Sequence, residues 1–176
     1  MVALLHTTTE GLEDLIREVN KLYEIQSRIE MKENMLLKCE IDDDGLVVCP
    51  AVHDRKISSI EFSEEELKLT LVESEFDSVK IRCLGVLEVA CNAFRKGNIV
   101  LDISVYSGAD EFTVLLEKLY PKPKVSIEKF DRFLQNIRTR ITNNELIIVQ
   151  LNPSYGGEVI VLCEEICYSR MNRITS

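Results

Sequence analysis

Tryptophan is absent from this chain, histidine occurs only twice, and glycine (7) and proline (4) are sparse among its 176 residues. So little glycine and proline argues against long disordered or low-complexity stretches. Two imidazoles, His6 and His53, leave little room for histidine-based metal or acid–base chemistry. Long hydrophobic runs are missing too. The longest, Leu146 to Val149 and Val159 to Cys163, fall far short of a bilayer span. Met1 to Leu5 is apolar but lacks the basic start and longer apolar core of a signal peptide. These absences predict a cytoplasmic or nuclear protein with no membrane partner. No G-x-S-x-G elbow, phosphate-cradling glycine loop or dinucleotide fingerprint occurs. The sequence therefore leans away from an enzyme, and no cofactor is expected.

What is present suits a globular domain. The apolar share is 45% and the charged share 29%. A chain of this length buries roughly two-thirds of its unfolded surface, enough for a core without staples. Six cysteines stand at 39, 49, 83, 91, 163 and 167. An even count invites a disulfide framework, but that pattern belongs to short secreted chains, so reduced and mostly buried thiols are expected. The net charge of −9 is uneven: residues 1–78 carry 19 acids and 8 bases (−11), residues 79–176 carry 11 acids and 13 bases (+2). Excess acid disfavours broad nucleic-acid binding, leaving only a local basic patch for it.

Periodicity predicts the elements. Thr7 to Glu10 has capping-box spacing, and Leu12, Leu15, Val19, Leu22, Ile29 and Leu36 then fall on heptad a and d positions, with Gln26 and Glu33 at two a positions. Ile16, Tyr23 and Ile25 widen the stripe. A helix of about 25 residues follows from this, either packed on the chain's own sheet or serving as a coiled-coil arm for another chain. Of the i,i+4 pairs, Glu24 with Arg28 is attractive and Arg17 with Lys21 is not. From Met35 the period becomes two. Strands flank the Asp42–Gly45 turn and continue at 60–62, 67–71, 79–83 and 99–106, predicting an antiparallel meander with one wet face. Gly85 suggests a bulge. Helices are expected after Asp110 and after Ser126, each as N-cap, with Ile127, Phe130, Leu134, Ile137 and Ile141 on one face of the second. Leu146 to Leu151 and Val159 to Cys163, apolar on both faces, predict a central hairpin; residues 168–176 are expected to fray. The organisation read from this is a helical arm over 1–36 and one α+β domain over 37–176: an antiparallel sheet packed with the long N-terminal helix and two further helices.

Several constellations fail as sites. Glu40, Asp42, Asp44 and Gly45 match the first half of a calcium loop, but Ala51 stands where its bidentate Glu belongs. Cys39, Cys49 and His53 offer at most three zinc ligands, and Cys163 and Cys167 are not a C-x-x-C pair. His53 adjoins Asp54, but neighbours on a strand point to opposite faces. An enzyme would have to be assembled from Cys49, His53 or Cys163. The densest positive charge is Lys118, Lys122, Lys124, Lys129, Arg132, Arg138 and Arg140, with the last four expected on the polar face of the second helix. Such a face can meet an acidic protein or a phosphate backbone, or can simply be solvated.

The order of a helical arm, a β-meander, a Tyr120-Pro121-Lys122-Pro123 turn and a helix resembles RWD-type modules. That resemblance implies an adaptor role in kinetochore or ubiquitin-related complexes. The strands at 146–163, after the helices, depart from the usual RWD order. The expectation is a protein–protein interaction module, binding a homo- or hetero-oligomeric partner through Leu12, Leu15, Val19, Leu22, Gln26 and Ile29. The alternative is a nucleic-acid-associated subunit using 118–140.

Overall fold

The computed structural model describes residues 11, 14–24, 35–74, 77–108, 112–124 and 126–172, with backbone alone at 171 and 172. The chain divides into two units, Met1–Met35 and Leu36–Ser176. In the first, residues 14–24 form helix α1, whose described side chains are all exposed. Eleven consecutive described residues are helical, and residues 25–34 of the expected helix of about 25 lie outside the described residues. Met35 and Leu36 are not helical, and Leu12, Gln26 and Ile29 lie outside the described residues. Arg17 meets Asp14 at 3.3 Å, one turn back, rather than facing Lys21.

Strands dominate the second unit, which is an α+β arrangement. They are β1 (Leu37–Lys38), β2 (Glu40–Ile41), β3 (Val47–Cys49), β4 (Lys56–Phe62), β5 (Glu66–Val72), β6 (Asp77–Leu84), β7 (Glu88–Asn92), β8 (Ile99–Tyr106), β9 (Ile147–Tyr155), β10 (Glu158–Cys163) and β11 (Glu165–Asn172). Helices α2 (Thr113–Leu119) and α3 (Ile127–Thr142) separate β8 from β9. The nine-stranded antiparallel sheet runs β1-β11-β6-β5-β4-β8-β9-β10-β7, with β2 and β3 as a separate hairpin. This is not the expected simple meander, because the last strands pair with middle ones: β11 lies between β1 and β6, and β10 against β7. Three of the nine strands follow the helices, which is the departure from the RWD order already visible in the sequence.

Period-two alternation fills the core. Leu67, Leu69 and Leu71 of β5, Val79, Ile81 and Cys83 of β6, and Val159, Val161 and Cys163 of β10 point into one cluster, joined by Val149, Leu151, Ile166 and Tyr168. Both halves of the sheet contribute, so it folds back on itself around these side chains. β4 touches β8 through a single register pair, Lys56 with Ile99. The segment 45–57 fills the rest of β8's edge. Val105 N–H donates to Gly45 O (2.7 Å), Asp54 N–H to Val100 O (2.9 Å), and Val100 N–H to Arg55 O (2.9 Å). The other face of β9 and β10 presents Ile148, Ile160 and Leu162 to α2 and α3, where Phe112, Leu115, Leu116, Leu119, Ile137 and Ile141 cover them. Burial on both faces is what the unbroken apolar runs call for.

Four details differ from the sequence expectation. A bulge in β8 buries Val100 and leaves Leu101 exposed. Gly85 (φ +61°) turns the corner from β6 to β7, where an added Cβ would strike Glu164 at 2.6 Å. Ser126 is left-handed (φ 61°) and makes no cap bond, while the expected cap Asp110 lies outside the described residues. β11 runs on to Asn172 with Tyr168 and Ser169 buried, because β1 and β6 flank it; its polar composition concealed this.

Candidate interaction surfaces

Three turns of helix cannot stay folded in water on propensity alone; an amphipathic helix needs its apolar face packed. On α1, Leu15, Val19 and Leu22 share that face with Ile16 and Tyr23. Leu22 is 62% and Val19 43% exposed. This row is the described part of the expected arm.

The basic segment does not act as one patch. Lys118 is tied to Glu158, its Nζ 2.9 Å from both carboxylate oxygens. Glu158 also accepts from Gln150 (2.7 Å), which accepts from Tyr106 (3.0 Å), so a polar chain fastens α2 to β8, β9 and β10. Arg140 faces Glu145 at 3.5 Å. Arg138 follows Ile127 by eleven residues, about three turns, which puts it beside the apolar stripe rather than opposite it. Lys122, Lys124, Lys129 and Arg132 remain exposed and form no ion pair among the described residues. A hollow of about 390 Å³ lies at the start of α3, lined by Lys124, Ser126, Ile127, Glu128, Lys129 and Arg132.

The α3 stripe is buried only at its C-terminal end, by Ile137 and Ile141. Phe130 and Leu134 are half-buried, and Ile127, on the same apolar face, is 45% exposed. Phe133, 43% exposed, had no part in the sequence reading. Tyr120 packs edge-on against it, ring centres 5.0 Å apart, and Phe130 lies 6.5 Å away. The i,i+3 spacing of Phe130 and Phe133 was the available signal for this cluster. Burial, with the charge of Glu88 as a lesser cause, raises the Tyr120 phenol above its ordinary pKa.

Some of the residues considered for chemistry have structural contacts. Asp42 Oδ1 accepts from Asp44 N–H (3.1 Å) and Leu46 N–H (2.8 Å), closing the hairpin turn. His53 Nδ1 and Asp54 Oδ2 approach to 2.9 Å, contrary to the opposite-face expectation, because residues 53–54 form a turn rather than strand. Both are exposed. All six thiols are free. Cys39 is pushed up to about 12, chiefly by burial. Cys83 is raised by its hydrogen bond with Cys163 and then by burial, and burial also raises Cys91 and Cys167. A nucleophilic thiol needs the opposite shift. No family model matches the chain, nor does any curated protein or solved structure.

Proposed function

We propose that this chain is a non-catalytic protein–protein interaction module of the cytoplasm or nucleus, with α1 as the arm that joins it to a partner. The exposed row Leu15, Val19 and Leu22 carries the reading. In water that row gives up roughly 1.5–3 kcal/mol for each large side chain that burial would contribute. The occupant that fits is the same helix of a second copy. Identical a and d rows complement themselves, and a polar Gln26 at an a position is the sort of residue that sets register.

Light scattering on the full chain and on Val19→Asp/Leu22→Asp tests this. The expected result is a dimer for the parent and a monomer for the variant, with unchanged circular dichroism and melting of the sheet domain. Monomers in both would overturn pairing through α1. The nucleic-acid reading draws on the four unpaired cations around the 124–132 hollow. It requires oligonucleotide affinity that falls steeply with salt and with Lys129→Glu/Arg132→Glu.

A further inference from the structure

The apolar stripe of α3 is longer than the surface that covers it. Its last two turns close the second core, while its first two turns carry the same face beyond Ile148, Ile160 and Leu162 into solvent. There Ile127 and Phe133 stand open on either side of the half-buried Phe130. Tyr120 braces Phe133 from the α2–α3 connector, so the aromatic surface is held in place before anything binds. Prior fixing of that kind lowers the entropy lost on association.

The charges around this opening supply a second, independent observation. Elsewhere in the fold, several cations are committed to acids: Arg55 to Asp77, Arg82 to Glu66 and Lys118 to Glu158. Lys124, Lys129 and Arg132 line the adjoining hollow beside Glu128 and form no ion pair among the described residues. An apolar centre with an unpaired basic rim complements an amphipathic helix whose flanks are acidic. A nucleic-acid strand fits less well, because the exposed centre of the surface is the apolar Ile127 beside Phe130 and Phe133, which an amphipathic helix can cover and a phosphate backbone cannot.

We propose that the open first half of α3, with Tyr120, docks an acidic amphipathic helix of another protein. The proposal uses no residue of α1 and stands whether or not the arm pairs.

The experiment uses the full chain and three fluorescent probes: a synthetic acidic peptide with leucines at i, i+3, i+4 and i+7, its scrambled isomer, and oligothymidine. Anisotropy is expected to show the amphipathic peptide binding at least about tenfold more tightly than its scramble. Ile127→Asp and Lys129→Glu/Arg132→Glu should each weaken it about tenfold or more, and only the charge variant should lessen the dependence on salt. All three positions are at the surface, so melting temperatures should stay within a degree or two of the parent. Equal binding of the two peptides, no binding of either, or binding untouched by both variants would overturn the proposal. Preferential capture of oligothymidine would assign the surface to nucleic acid instead.

Discussion

Arg55 reaches three acceptor groups from a side chain only 8% exposed. Nε donates to Ala51 O at 2.7 Å, the two terminal nitrogens meet the Asp77 carboxylate at 3.2 and 2.9 Å, and Glu73 lies 3.1 Å away. The side chain so locks the 51–55 turn to the start of β6. Replacing it by methionine leaves Ala51 O and both carboxylates without their donor, and denaturant midpoints should report a loss of about 1–3 kcal/mol. The hydrogen bond from Arg55, with its charge as a further cause, holds Asp77 below the usual carboxylate range. The contribution is therefore complete above the unfolded value of about 3.9 and is lost as pH falls through the lower folded value. The stability gap between the parent and Asp77→Asn should be full at neutral pH and close in strong acid. A gap that persisted there would remove this account. Gly45 has φ +79°, and an added Cβ would meet Val105 O at 2.7 Å. Gly45→Ala should cost at least about 1–2 kcal/mol in the same assay. Sequence supplied the Asp-Gly turn, but nothing in it joined Arg55 to Asp77, 22 positions on. Such a clamp leaves no periodic trace.

At the level of strands and helices, legibility followed periodicity. β5 and β6 alternate cleanly and were readable; so were β9 and β10, whose apolar residues on successive positions demand cover on both faces. β11 was missed because Tyr168, Ser169 and Arg170 look like a tail until β1 and β6 are placed beside them. The strand order was hidden for a related reason: pairing β10 with β7 joins residues some seventy positions apart. α3 shows the limit of a helical stripe, which reveals an apolar face but not how much of it the domain covers. Ile160 is fully buried against the helices. Ile160→Ala should therefore destabilise by about 2–5 kcal/mol, read by thermal or urea unfolding. Ile127→Ala, on the open turns of α3, should change the same measurement by no more than about 0.5 kcal/mol.

Across the whole molecule, the thiols report folding. Cys39, Cys83, Cys163 and Cys167 are buried, while Cys91 is exposed and Cys49 half-buried. A disulfide-exchange reagent near pH 8 should modify Cys91 first, and the four buried thiols only at the rate of global opening. Arg55→Met should accelerate that slow phase; rapid labelling of all six in the intact protein would contradict the buried assignment. The expectation of reduced, buried cysteines thus has a solution test, whereas the candidate surfaces were only half legible. Sequence named Lys129 and Arg132 but gave no sign that Lys118 and Arg140 are committed to Glu158 and Glu145. The single rung between β4 and β8 has a wider consequence. Strand β8 is shielded from neighbouring molecules by the turn-rich stretch 45–57 instead of by a full-length strand. When that cover lifts, donors and acceptors of β8 are left bare, and an unprotected row of this kind recruits like strands. Damage to the cover, as in Gly45→Ala, should thus announce itself as turbidity on mild warming, below the temperature at which the sheet domain melts.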